Sequence, residues 1–379
     1  MWGGGLVRKV CVVVTGRAPY GRLKSVMQAI SEHPQLQLQT IVAASALLDR
    51  YGCLGVIEQG GFKVDDKIYT VIEGDTPSCM SLTTGFFMTQ LSNSFARLQP
   101  DIVIAHADRY EALAVASTAA YMNIKLVHCQ GGEISGSIDD KVRNSITQLA
   151  DIHFPATEQS RERIISMGKV PETVFNVGCP AIDLIPKDLS ITEDFCRKYG
   201  GVGPPIDFSR PYLVVMQHPV TTEYGEGMQQ IGETMKAIQA LQMPTVWMWP
   251  NVDSGSDGIS KGLRIARERG ELDHVHFFKN LSPEDFYKMI ANCACLIGNT
   301  SAGIREGAYL SVPYICVGSR QNQREHGNNA MFAHYDWADI YHNVHINVLH
   351  GYPSKEQDLR FGNGAAGKQI AEILAEVRL

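Results

Sequence analysis

The sequence predicts an α/β protein built from two similar domains, on three observations. The chain has 379 residues, more than one ordinary hydrophobic core organises. Short β-branched apolar runs alternate, along nearly the whole length, with segments whose apolar residues recur at helical spacing. The alternation lapses once, between residues 180 and 211, where Gly200, Gly201, Gly203, Pro204 and Pro205 interrupt any long periodic element. Alternating strands and helices form parallel sheets covered by helices on both faces. The pattern therefore reads as two Rossmann-like domains facing each other, with the boundary in the lapse.

Residues 9–14 form a compact β-branched run, then Thr15-Gly16, then Leu23, Val26, Met27 and Ile30 at helical spacing: a strand, a turn, a helix. The first half continues with strands over 39–43, 68–71, 102–105, 125–129, 152–154 and 174–177. Its helices are expected over 47–58, 80–98, 111–121, 141–150 and 161–167. In the second half strands are expected over 212–216, 245–249, 275–278, 295–297 and 314–317. Helices there cover 228–241, 259–269 and 283–292, a short one starts at Ala302, and two closing helices cover 340–349 and 366–377. The domains are accordingly 8–185 and 206–360, with 361–379 as a terminal helix packing back on the first. Trp2-Gly-Gly-Gly5 reads as a mobile leader.

Composition narrows the function. With 44% hydrophobic and 20% charged residues the chain is ordinary globular protein rather than disordered. A net charge of -6 and a pI near 6.1 give no basic footprint for nucleic acid, so any phosphate site is local. No apolar stretch reaches the roughly 18 residues of a membrane span, and residues 1–7 lack a signal-peptide core. A cytoplasmic protein without membrane or nucleic-acid partners is expected. Nine cysteines are an odd count, and Cys11, Cys129 and Cys316 sit inside strand-like runs as small hydrophobes. Cys293 and Cys295 have no second pair for zinc, and His342 and His345 fit an exposed helix face better than a metal.

In open parallel sheets ligands bind beyond the carboxyl ends of the strands, and polar residues cluster there. Gly16-Arg17 follows the first strand, Asp108-Arg109 the strand 102–105, and Gln130 and Glu133 the strand 125–129. In the second half His218, Asn251, Asn299-Thr300-Ser301 and Ser319-Arg320 hold the corresponding positions. A site in the cleft between the domains is expected. The strand 295–297 turns sharply into a helix at Thr300 and Ser301, where backbone amides, two hydroxyls and Gly298 and Gly303 suit a phosphate or diphosphate. Plain N-capping is the competing reading of the same residues. Glu306 could take ribose hydroxyls, and Arg320 could add charge to a diphosphate site. Around Gln130-Gly-Gly-Glu133, followed by Asp139, Asp140 and Arg143, carboxylates near arginine suit proton transfer. Asp139 and Asp140 equally suit a helix N-terminus.

At these residues the chain resembles the hydrolysing UDP-N-acetylglucosamine 2-epimerases of sialic and legionaminic acid biosynthesis. The motifs are Gly16-Arg17-Ala18, Asp108-Arg109-Tyr-Glu111, Gly131-Gly-Glu-Ile-Ser-Gly-Ser-Ile-Asp-Asp140 and Gln217-His-Pro-Val-Thr-Thr222, with Pro250-Asn-Val-Asp-Ser-Gly-Ser256, Gly298-Asn-Thr-Ser301 and Gly318-Ser-Arg-Gln321. The resemblance implies a glycosyltransferase-B-type fold, no metal, no nicotinamide cofactor, a UDP-sugar substrate and a homodimer or homotetramer. It implies anti elimination of UDP to a 2-acetamidoglucal and addition of water to give free N-acetylmannosamine or a 2,4-diacetamido-trideoxy analogue. By position Arg17, Arg109, His218, Asn251, Leu281, Thr300, Ser301, Glu306 and Arg320 would hold UDP. Asp108, Asp139 and Arg143 would serve catalysis, with His218 and Glu133 beside them.

Four positions depart from that pattern. Gln130 stands where the pattern has a catalytic glutamate, Pro19 replaces an acidic residue, Ala107 a glycine and Asn144 a histidine. An amide is no general base, so Glu133 or Asp139 is expected to supply one, with nucleotide binding kept and the sugar or the chemical step changed. The alternatives are a nucleotide-sugar hydrolase that keeps the C2 configuration, a glycosyltransferase on the same fold, and a silent UDP-sugar sensor.

Overall fold

The computed structural model describes residues 7–49, 52–74, 76–136, 138–250, 255–351 and 357–378; the expected leader falls outside them. The chain divides into two compact units. One holds the residues up to 133, with 139–184 and those from 360 onward; the other holds 134–138 and 185–359.

The first unit contains β1 (Arg8–Val14), β2 (Leu36–Ala43), β3 (Asp66–Ile68), β4 (Ile102–His106), β5 (Lys125–Cys129) and β6 (Ile152–Phe154). They lie in the order β3-β2-β1-β4-β5-β6, every pair parallel. β1 shows why the run folds so. Val10, Val12 and Val14 enter one core layer, Cys11 and Val13 the other, because alternate side chains leave opposite faces and helices cover both. The helix Arg17–Glu32 buries Tyr20, Leu23, Val26, Met27 and Ile30 against the first layer.

The terminal helix Ala366–Glu376 packs on Arg17–Glu32. A Cβ on Gly367 would stand 2.7 Å from the Ser25 backbone, so only glycine permits that approach. The Asp183 carboxylate accepts from the Ala366 and Gly367 amides at 3.1 and 2.6 Å, satisfying the helix start that its own N-cap, Ala365, leaves open. At the other end Arg8 Nη1 donates to the Leu374 and Val377 carbonyls at 2.8 and 2.6 Å.

The second unit repeats the topology with β7 (Leu213–Met216), β8 (Thr245–Met248), β9 (Val275–Phe278), β10 (Cys295–Gly298), β11 (Tyr314–Val317) and β12 (Ala330–Ala333). Their order is β12-β11-β10-β7-β8-β9, again all parallel. The strand order reverses between β1 and β4 in one unit and between β7 and β10 in the other, and crevices at such switch points take ligands.

Three sequence expectations need correction. The helix expected over 47–58 is a 3-10 turn, Ala44–Leu47, and a later helix, Leu54–Gln59. Between them the Gly52 amide bonds the Leu48 carbonyl at 2.6 Å, where a Cβ would meet that oxygen at 2.5 Å. The strand expected over 174–177 is a single bridge, His153 to Val174, because the chain there extends beyond the short β6. β12 was not expected: its burial pattern is partly buried, partly buried, exposed, buried, the weak signature of an edge strand. All nine cysteines are free thiols, and His342 and His345 are exposed. Among the described residues no helix is long and apolar enough to cross a membrane.

Candidate active site

In the first unit the polypeptide leaves β4 and β5 through left-handed residues. Ala107 has φ +64° and Gln130 φ +62°, a region that costs an L-residue roughly 1–2 kcal/mol. The two turns are tied together: Ala107 N–H donates to the Cys129 carbonyl at 3.0 Å, and His128 Nε2 reaches the Ala107 carbonyl at 2.9 Å. That contact makes Nε2 the protonated nitrogen and leaves Nδ1 to accept from the Thr147 hydroxyl at 3.1 Å. Burial pushes the His128 pKa down to about 4, so the ring is neutral.

Gly131 and Gly132 make the next turn possible. A Cβ on Gly131 would stand 2.7 Å from His128 Nδ1, and one on Gly132, at φ +81°, 2.2 Å from the Ser160 carbonyl. The turn delivers Glu133, 5% exposed, above the helix Ile138–Leu149. That helix carries Asp139 and Asp140 in its first turn and Arg143, fully buried, in its second.

Arg143 is the hub of this cluster. Its Nη1 donates to the Glu133 carbonyl oxygen at 2.8 Å and to Asp140 at 2.5 Å, and its Nη2 pairs with Asp108. Burial works against its charge, but Asp108, Glu133 and Asp140 outweigh burial and hold its pKa above the ordinary arginine value. Arg109, one residue after Asp108, makes a two-pronged pair with the fully buried Glu111, 3.1 Å on each branch. Arg17 is half-buried at the start of the helix after β1, and Pro19 is buried in its first turn. Gln130 is turned aside: Nε2 donates to Cys179 Sγ at 2.9 Å, and the buried Oε1 has no partner among the described residues.

In the second unit the switch point is stitched by Asn299, fully buried after β10. Its Oδ1 accepts from the His218 amide at 2.7 Å, and its Nδ2 donates to the His218 carbonyl at 2.8 Å. Gln321 Nε2 then donates to the Asn299 carbonyl at 3.0 Å. Gly298 has φ +129°, and its Cβ would lie 2.1 Å from the Met216 carbonyl, so β10 can turn this tightly against β7 only with glycine. Thr300 caps the short helix Ser301–Ile304, its Oγ1 accepting from the Ala302 amide at 3.2 Å. The capping reading of Thr300 is thus realised. Ser301 and Arg320 are half-buried, Leu281 and His218 buried. Glu306 is 3% exposed, and its Oε2 has no hydrogen-bond partner among the described residues. Asn251 lies outside the described residues.

Asn299 and His128, which the sequence places among the strand-end polar residues, and Gln321 position the candidate residues, although the sequence assigned none of the three a binding or catalytic role. Their shared signal is a polar side chain at the carboxyl end of an apolar strand. Among the described residues no group of three or more His, Cys, Asp or Glu could hold a metal ion.

Comparison with known proteins agrees with this frame. A sequence model of the UDP-N-acetylglucosamine 2-epimerases matches residues 28–375. The chain belongs to the UDP-N-acetylglucosamine 2-epimerase family. It is 31% identical over 328 residues to the UDP-N,N'-diacetylbacillosamine 2-epimerase (hydrolyzing) of Legionella pneumophila, covering 86% of this chain and 85% of that one. It is 30% identical over 371 residues to a UDP-N-acetylglucosamine 2-epimerase of Neisseria meningitidis, covering 98% and 94%. A solved structure of UDP-GlcNAc 2-epimerase from Neisseria meningitidis, bound to UDP-GlcNAc, superposes with a TM-score of 0.81 at 17% identity, covering 97% of this chain and all of that one. The expected two-domain glycosyltransferase-B-type fold is thereby established.

Proposed function

We propose that this epimerase-family chain is a hydrolysing UDP-N-acetylglucosamine 2-epimerase, releasing UDP and free N-acetylmannosamine or a 2,4-diacetamido-trideoxy analogue. The observation that carries the reading is the buried Arg143 hub, which gathers Asp108, Glu133 and Asp140 in one cluster. The hydrolysing relative from Legionella supports it.

The C2 proton of the sugar is weakly acidic, so its removal needs a positioned base, and the departing diphosphate needs cations and N–H groups for its growing charge. One carboxylate takes the C2 proton while the C1–O bond breaks, giving UDP and a glycal with a C1–C2 double bond. Water then supplies hydroxyl to C1, and a proton returns to C2 from the other face. Asp108 and Asp140 hold Arg143, so we assign the two proton transfers to Glu133 and Asp139. Gln130 cannot share them, since its amide does not ionise and is turned to Cys179. On the nucleotide side, Arg17, Arg109, Asn251, Leu281, His218, Thr300, Ser301 and Arg320 would hold UDP. The buried Glu306 Oε2, which has no hydrogen-bond partner among the described residues, suits ribose hydroxyls, which donate hydrogen bonds.

Incubation of the purified protein with UDP-N-acetylglucosamine, with products separated by chromatography, tests the reading. UDP with free N-acetylmannosamine is expected. Free N-acetylglucosamine would identify a hydrolase that keeps C2, UDP-N-acetylmannosamine a non-hydrolysing enzyme, and release of UDP only with an added acceptor a glycosyltransferase.

A further inference from the structure

A cavity of about 310 Å³ opens in the second unit where β11 and β12 end. Among the described residues Glu223, Ser319, Asn322, Phe332, His334 and Tyr335 line it. Such a volume is at the small end of ligand sites and suits one ring rather than a nucleotide. The cavity is built by a close approach: Gly318 sits at φ +78°, and a Cβ there would lie 2.1 Å from the Tyr335 ring and 2.3 Å from its hydroxyl. Glycine lets the loop bearing Ser319 and Arg320 wrap over that ring.

Its polar groups are selective. Glu223 accepts from the Ser319 hydroxyl on one oxygen and from Gln230 Nε2, at 2.6 Å, on the other. Each carboxylate oxygen keeps further acceptor capacity. The Tyr335 hydroxyl is buried, with the Glu223 carboxylate and the Ser319 backbone as its polar neighbours. Burial first, then the Glu223 charge, push its pKa well above the usual phenol value, so it stays a donor. Among the described residues no lysine or arginine lines the cavity, which disfavours an anion. Glu223 already receives two donors, so no bare charge calls for a cation. Phe332, 37% exposed, and the Tyr335 ring add apolar wall.

We infer that this cavity binds a neutral monosaccharide ring, its C–H face against Phe332 and Tyr335 and its hydroxyls bonded to Tyr335, Glu223 and Asn322. Among the described residues none of those assigned to the nucleotide lines the cavity, although Arg320 follows Ser319 directly, and the inference does not rest on the proposed reaction.

The test is ligand-observed saturation-transfer NMR on the full chain with UDP at saturation, using N-acetylmannosamine, N-acetylglucosamine and the cationic glucosamine as probes. The neutral sugars should receive saturation at their ring C–H protons. Tyr335→Phe should weaken that binding about fivefold, the value of one hydrogen bond, and Phe332→Ala should weaken it as well. Tyr335→Phe keeps the ring and removes one hydroxyl beside Glu223 and the Ser319 backbone, and an unchanged melting temperature verifies that the fold is kept. No transfer from neutral sugars, binding of glucosamine alone, or affinity indifferent to both substitutions would each overturn the inference. None of these readings requires turnover, so a failed epimerase assay leaves the result interpretable.

Discussion

Asn299 spends its whole side-chain amide on the backbone of His218, Oδ1 accepting at 2.7 Å and Nδ2 donating at 2.8 Å. The two residues follow β10 and β7, neighbours across the switch point, so one amide sets the spacing of two candidate loops. Asn299→Ala would strand a buried donor and acceptor, costing about 2–4 kcal/mol. Urea unfolding should show that loss, and calorimetry a UDP affinity reduced at least about tenfold. Unaltered affinity would show that the pairing does not matter for the nucleotide.

Removing the hub of the first unit is expected to be more damaging. Arg143→Met leaves Asp108 and Asp140 without their buried cation, and breaking a buried pair costs about 3–5 kcal/mol. Denaturant titration should register it as a lower midpoint, together with loss of activity beyond what the unfolded fraction explains.

Glu133→Gln keeps shape and removes a base. Turnover should fall at least about a hundredfold, while calorimetry finds UDP binding within about threefold of the parent. Equal losses in both would point to a binding role instead.

Gln130→Glu asks whether a base was lost at that position. The side chain is 1% exposed and faces Cys179, and among the described residues no cation bonds it. A carboxylate there should lower stability by about 1–3 kcal/mol at neutral pH without raising UDP release. Faster release would mean that Gln130 does mark a missing general base.

How much of this was legible beforehand depends on the kind of signal. β1 announces itself because five consecutive buried residues need both faces covered, and the Thr15-Gly16 turn follows at once. The candidate residues were legible as strand-end polar groups, and Asp108, Glu133, Asp140 and Arg143 do meet. β12 was hidden, since an edge strand with an exposed Phe332 carries little periodicity. The fate of Gln130 was hidden too: its direction depends on a positive φ and on Cys179, 49 positions away, which no local pattern encodes. The Asn299–His218 pairing spans 81 positions and is invisible for the same reason.

Acid should destabilise the first unit through two histidines. His128 and His153 are register partners on β5 and β6, both fully buried. Burial lowers their pKa values to about 4 and about 3. Above the ordinary value near 6.5 neither state binds a proton, so they add no pH dependence. Below it the unfolded chain takes up protons that the folded chain refuses, and stability falls by up to about 1.4 kcal/mol per pH unit for each histidine. The fall ends near pH 4 for His128 and near pH 3 for His153. Neither ring nitrogen of His153 has a hydrogen-bond partner among the described residues. His153→Phe should therefore flatten the slope between pH 6.5 and 4.5 in urea unfolding; an unchanged slope would place the acid sensitivity elsewhere.

The central claim is that a carboxylate on Glu133 or Asp139 exchanges the proton at C2, and turnover of UDP-N-acetylglucosamine in heavy water reads that step directly. NMR of the released sugar should show N-acetylmannosamine with deuterium at C2, and Glu133→Gln or Asp139→Asn should suppress it. Free sugar that keeps its C2 proton would contradict the account.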